Sequence, residues 1–176
     1  VAGAVPADLA AVLTNLDGGL YAEFALYGMR GLAAGYGVDL APYLNAAGRQ
    51  AMDAVEGECV TDLANHAFVT TSSLSSTGTP ASVLLTQEPF TTMVAQQRIG
   101  TIKPAMPVYV VHSALDDVIP YAVGRSMAKS WCGKGANVYF DTTLAPTHVG
   151  ADLVDYAPRA YAFLEARFAG LPQFSN

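Results

Sequence analysis

The chain has 176 residues, 52% of them hydrophobic and 14% charged, a balance far from the polar, highly charged composition that keeps chains disordered. Its formal net charge is −6 with only 9 Lys and Arg, which excludes the basic stripe that a nucleic-acid partner would require. No run of about 18 apolar residues occurs, so no membrane-spanning helix is expected.

The chain begins at Val1 in an apolar run, without the basic region and cleavage pattern of a leader, and this start is expected to be an internal cut or a processing site. Residues 1–5, VAGAV, read as a strand stopped by Pro6. From Asp8 to Gly57, Ala- and Leu-rich windows alternate with breakers at Asp17-Gly18-Gly19, Gly35-Tyr36-Gly37 and Gly48, predicting several short helices with no strand between them. One of these, carrying Leu20, Phe24, Tyr27 and Gly31, is apolar around much of its circumference and is expected to be largely buried. Residues 71–79, TSSLSSTGT, read as a loop, and Pro80 and Pro89 introduce two further helices before Gly100. This stretch is expected to be an irregular helical insertion.

At Pro107 the pattern changes. PVYVVH is a compact β-branched run followed by the acidic turn Asp116-Asp117, as expected of a central parallel strand. A helix over Tyr121–Lys134 and a strand over 136–140, ANVYF, complete a βαβ unit whose crossover is expected to be right-handed. After a loop at 141–147, a last helix from Gly150 to Phe168 places Leu153, Tyr156, Ala160, Phe163, Leu164 and Phe168 on one face, with an irregularity at Pro158. Three strands make a small, incomplete parallel sheet with two exposed edges.

Two residues carry the strongest chemical signal. Asp116 follows a buried strand directly, and His148 follows the next strand, 32 residues later, where parallel sheets present catalytic groups. α/β-Hydrolases order their triad Ser, then Asp or Glu, then His, and this chain supplies the last two in that order. The chemistry needs both: the imidazole accepts the serine proton and returns it to the leaving alcohol, while the carboxylate fixes the tautomer and stabilises the imidazolium. The competing reading of the same residues is a turn at Asp116-Asp117 and a histidine at the start of a helix.

Three ordered segments, GTIKPAMPVYVVHSALDDVIPY, WCGKGANVYF and APTHVGADL, resemble the secretory lipase family of actinobacteria and fungi. VAGAVPADL and LDGGLYAEFALYGMRGL extend the resemblance over nearly the whole chain. It implies the C-terminal part of an α/β-hydrolase fold with a helical cap: a core strand at 1–7, a cap or lid insertion at 8–100, and the rest of the core at 101–176. It implies Asp116 as the triad acid and His148 as the base, with Asp117 beside the acid, His112 behind it or in the core, and His66 at the surface or in the cap. A secreted, extracellular serine ester hydrolase for lipophilic esters such as acylglycerols follows, with no cofactor and no metal.

The family's nucleophile elbow, G-x-S-x-G, occurs nowhere in the sequence. The nucleophile and oxyanion hole are therefore expected upstream of Val1, on an N-terminal part of the same hydrolase, and this chain alone is expected to be inactive. Gly124-Arg125-Ser126-Met127-Ala128 lacks the second glycine and lies in a helix, so Ser126 is a decoy; the serines at 72, 73, 75, 76 and 113 lack elbow glycines as well. The resemblance puts Cys59 in the cap, where a fungal relative has a cysteine bonded to its N-terminal half, and Cys132 in the last crossover helix. Whether these two pair is left open. The alternative function is a stable, non-catalytic fragment or binding domain derived from such a hydrolase. A divalent-cation site at Asp116-Asp117 would need more oxygen ligands than the neighbouring sequence offers.

Overall fold

A computed structural model describes residues 1–62 and 64–176. They form two units: a sheet unit of Val1–Asp8 with Arg98–Asn176, and a helical unit of Leu9–Gln97.

The chain opens with β1 (Ala2–Gly3). It is shorter than predicted because Ala4, at φ 42°, already leaves the extended region, although its N–H still donates to the Val111 carbonyl at 2.9 Å. The helical unit follows as α1 (Leu9–Leu16), α2 (Ala22–Tyr36), α3 (Ala46–Ala54), α4 (Thr71–Leu74), α5 (Ala81–Leu84) and α6 (Phe90–Gln96). Gly37, at φ 66°, ends α2 in the left-handed conformation.

Two expectations for this unit are corrected. α2 buries only Ala22, Glu23, Leu26 and Ala33, because much of its apolar circumference is Gly and Ala, which present little side chain to pack, and Leu20 before it is 52% exposed. The stretch 71–79 is not loop throughout. Its first turn is helical because the Thr70 hydroxyl accepts the Ser73 N–H and the Asp17 carboxylate accepts the Thr71 N–H at 2.5 Å. Asn45 caps α3 through Gly48 N–H at 2.9 Å, and its amide also donates to the Ser73 and Ser75 carbonyls. Leu13, Leu26, Met52, Leu74 and Phe90 build the core of this unit around an apolar cavity of about 80 Å³.

The sheet unit resumes with β2 (Val108–Ser113), α7 (Tyr121–Gly133) and β3 (Val138–Thr143). The sheet is parallel in the order β1-β2-β3, with Ala2 opposite Val110 and Val108 opposite Val138. Alternation along β2 sends Val110 and His112 toward α7 and Tyr109, Val111 and Ser113 to the other face, where Tyr156, Ala151 and Phe163 pack. β3 starts two residues later than predicted and ends three later. Gly135 (φ 75°) and Ala136, whose N–H returns to the Trp131 carbonyl, still belong to the end of α7, while the β-branched Thr142 and Thr143 continue the ladder.

The final helix is also different in detail. α8 (His148–Ala151) leads into a π-helical turn at Asp152–Tyr156 before α9 (Ala157–Phe168). Pro158 has no N–H to give the Val154 carbonyl, so the regular ladder fails at this turn. The extra residue shifts the apolar stripe: Tyr156 and Phe163 pack in the core, but Leu153 is 73% and Phe168 90% exposed. Where the sheet unit's two segments meet, Arg98 pairs with Asp8 at 2.8 Å and the Ile99 N–H donates to the Ala7 carbonyl at 3.0 Å. No described helix is long and apolar enough to cross a membrane.

Candidate active site

β2 ends at Ser113, and the turn after it is built on Asp116. One carboxylate oxygen, Oδ1, accepts the N–H groups of Val118 (3.0 Å) and Ile119 (2.8 Å), the local pattern that Asp favours in turns. This leaves Oδ2 for His148, whose Nδ1 lies 2.9 Å away. A carboxylate only accepts, so Nδ1 carries the proton and Nε2 presents a lone pair; no described residue hydrogen-bonds Nε2. The Asp116 side chain is fully buried, whereas that of His148 is 32% exposed.

The electrostatics follow from this arrangement. Burial opposes the charge on Asp116, but the His112 and His148 side chains and the two turn amides outweigh it and hold the carboxyl well below the usual carboxylate range. For His148 the hydrogen bond to Asp116 dominates over the opposing effect of burial, and Asp117 and Asp152 add to it, so the imidazole is pushed above its ordinary value.

His148 is held by its backbone as well. Its N–H donates to Asp117 Oδ1 at 2.8 Å, a contact between residues 31 apart in sequence. Thr147, immediately before it, has φ 61°, a left-handed conformation that a β-branched residue adopts only under constraint, at a cost of about 1–3 kcal/mol. Its hydroxyl caps α8 by accepting the Gly150 N–H at 3.0 Å. On the other face of the sheet, the buried Tyr156 hydroxyl accepts the Ser113 N–H at 2.7 Å and ties the end of β2 to the final helical segment.

Asp116 and His148 are thus brought together, with Asp117 on the histidine's backbone and His112 fully buried behind the acid. The roles of Asp117, Thr147 and Tyr156 in this arrangement were not anticipated. The doubled Asp was the one available signal, since it offers two acceptors at a strand end. Ser113 is occupied, its hydroxyl donating to the Ala145 carbonyl (2.6 Å) and accepting the Leu115 N–H (3.0 Å), and Ser126 is exposed in the middle of α7. His66 lies in the helical unit, 3.1 Å from Glu58. Cys59 is exposed and Cys132 half-buried, and both are free thiols. Among the described residues no three His, Cys, Asp or Glu side chains are grouped to hold a metal ion.

Comparison with known proteins gives consistent matches. The family model described as secretory lipase matches residues 1–176. The chain is 30% identical to a secreted triacylglycerol lipase of Malassezia restricta, over 97% of this chain and 38% of that protein. It is 27% identical to lipase A of Moesziomyces aphidis, over 96% and 38%. Among solved structures, Candida antarctica lipase A in its closed state superposes with a TM-score of 0.83 at 25% identity, covering 97% of this chain and 42% of that one. A rice cell wall degrading esterase of Xanthomonas oryzae shares the fold at a TM-score of 0.65 and 12% identity, over 93% and 46%. The chain therefore adopts part of an α/β-hydrolase fold with an open three-stranded parallel sheet and a helical insertion. It spans about two fifths of the length of the curated relatives it matches.

Proposed function

The chain belongs to the secretory lipase family, and from that premise we propose that it supplies the acid and the base of an extracellular serine ester hydrolase. Asp116 is the acid and His148 the base. The nucleophilic serine and the oxyanion donors come from a further part of the same hydrolase, outside these 176 residues. Leu9–Gln97 serves as the cap, and the substrate is a lipophilic ester of the acylglycerol class.

The observation that carries this reading is the 2.9 Å contact from His148 Nδ1 to a buried carboxylate, with Nε2 free of hydrogen-bond partners among the described residues. In the reaction, Nε2 takes the proton from the serine hydroxyl as it attacks the ester carbonyl, and Asp116 stabilises the imidazolium that forms. Nε2 then gives that proton to the departing alcohol. In deacylation the same nitrogen takes a proton from water and returns it to the serine. The apolar core and cavity of the helical unit favour a hydrocarbon-bearing substrate over a polar one.

The absence of any G-x-S-x-G from the sequence favours a second reading, a stable piece without turnover. Hydrolysis of a p-nitrophenyl ester by the purified chain, alone and mixed with the polypeptide encoded upstream of Val1, separates the two. Activity in the mixture only is the expected result. Inactivity of a mixture shown to associate would favour the non-catalytic fragment.

A further inference from the structure

We propose that His112 is a positioning residue for the triad acid, its imidazole anchoring the turn on which Asp116 is oriented. The proposal rests on the reading of Asp116 and His148 as acid and base. His112 sits on β2, fully buried, and points at α7, where Gly124 makes room for it: a Cβ at that position would stand 2.3 Å from Nδ1. Its Nε2 faces two oxygens, the Ile119 carbonyl at 3.0 Å and Asp116 Oδ2 at 3.6 Å. Neither oxygen can donate, so Nε2 carries the proton. Nδ1 is buried without a hydrogen-bond partner among the described residues, so the ring's hydrogen bonding is all made through Nε2. The ring therefore acts at this turn as an N–H donor through Nε2.

That donor closes a chain of contacts. His112 holds the Ile119 carbonyl, the Ile119 N–H holds Asp116 Oδ1, and Asp116 Oδ2 holds His148. At 3.6 Å the contact from Nε2 to Oδ2 is too long for a hydrogen bond, so His112 acts on the acid mainly through the turn, with its N–H dipole adding to the field there. An apolar side chain of similar volume would fill the same space without fixing the turn. The groups facing His112 are Asp116 and the edge-on ring of Tyr121, 5.6 Å away; those facing His148 are Asp116, Asp117 and Asp152.

The test uses the complete enzyme. His112→Phe is expected to lower kcat by about tenfold with little change in KM. It is also expected to move the acidic limb of the kcat/KM profile down toward the ordinary histidine value, because a loosened Asp116 supports the imidazolium less. His112→Gln keeps an N–H near the Ile119 carbonyl and is expected to recover most of both. Should His112→Phe not fold, Gly124→Ala displaces the ring without removing it and is expected to shift the limb the same way. An unmoved limb in the variant that folds, or a His112→Gln enzyme as impaired as His112→Phe, would overturn the proposal. Asp116→Asn separates the two levels: if it abolishes turnover while the His112 variants leave the limb in place, the triad reading stands and only the positioning role fails. An Asp116→Asn enzyme with undiminished turnover would remove both.

Discussion

Asp116 and Asp117 are adjacent in sequence yet hold His148 in different ways, one by its ring and the other by its amide. Their charges act together on the imidazole, and the sign of the effect differs between stability and activity. His148 has its value raised above 6.5, so its stabilising contribution is complete below about 6.5 and is lost as pH rises through the raised value. Asp116 is depressed from 3.8, so its contribution is present above about 3.8 and is lost as pH falls through the lowered value. The pair thus stabilises the fold most at mildly acidic pH. Turnover needs His148 neutral, so kcat/KM in the complete enzyme is expected to rise through a pKa above 6.5, on the alkaline side of the stability maximum, and Asp117→Asn is expected to lower that pKa. A limb at or below 6.5 in the unmodified enzyme would contradict the assignment. His148→Ala is expected to cost roughly 10³-fold or more in kcat, whereas Ser126→Ala, on the exposed side of α7, should leave the rate unchanged. The proximity of Asp116 and His148 was legible because strand ends and chain order are local properties. The Asp117 contact was not, because it pairs a side chain with an amide on another loop, and any residue type supplies an amide.

At the scale of elements, periodicity located most helices and both long strands, and errors concentrate where a local hydrogen bond competes with the pattern. Thr70 and Asp17 make a helical turn out of a Ser/Thr-rich stretch that composition reads as loop. Pro158 widens the last helix into a π turn and rotates Leu153 and Phe168 away from the face that periodicity assigns them. The burial of Glu23 runs against composition altogether: its Oε1 accepts the Tyr27 hydroxyl one turn on, a pairing that a hydrophobicity pattern does not register. Asn45 concentrates several such local bonds. It caps α3 and braces the carbonyls of Ser73 and Ser75, so Asn45→Ala is expected to destabilise the complete protein by about 1–2 kcal/mol in chemical denaturation. A loss within experimental error would mean that water replaces all three bonds. Gly48→Ala should be worse tolerated, since its Cβ would meet the Leu74 carbonyl oxygen at 2.3 Å.

For the molecule as a whole, the charge balance spoke against a nucleic-acid partner, no apolar run was long enough for a spanning helix, and the βαβ pattern pointed to a parallel sheet, but none of these reveals how the first eight residues join a sheet whose other strands begin a hundred residues later. That pairing is a matter of register: Ala2 and Gly3 lie against Val110 and Val111, and close approach there is possible because Gly3 has no side chain, a Cβ at that position standing 2.9 Å from the Tyr156 ring. The junction where the chain leaves the sheet unit and returns to it has a further consequence. Asp8 and Arg98 are one ion pair apart, and Ala7 and Ile99 one hydrogen bond. In the language of protein engineering, residues 9–97 are a cassette whose two ends already sit side by side. Replacing them with a short Gly-Ser loop in the complete protein is expected to leave the His148 Nδ1 proton in its hydrogen-bonded position in the NMR spectrum, even if ester hydrolysis is lost. Disappearance of that proton signal would mean that the acid–base pair depends on the insert for its geometry.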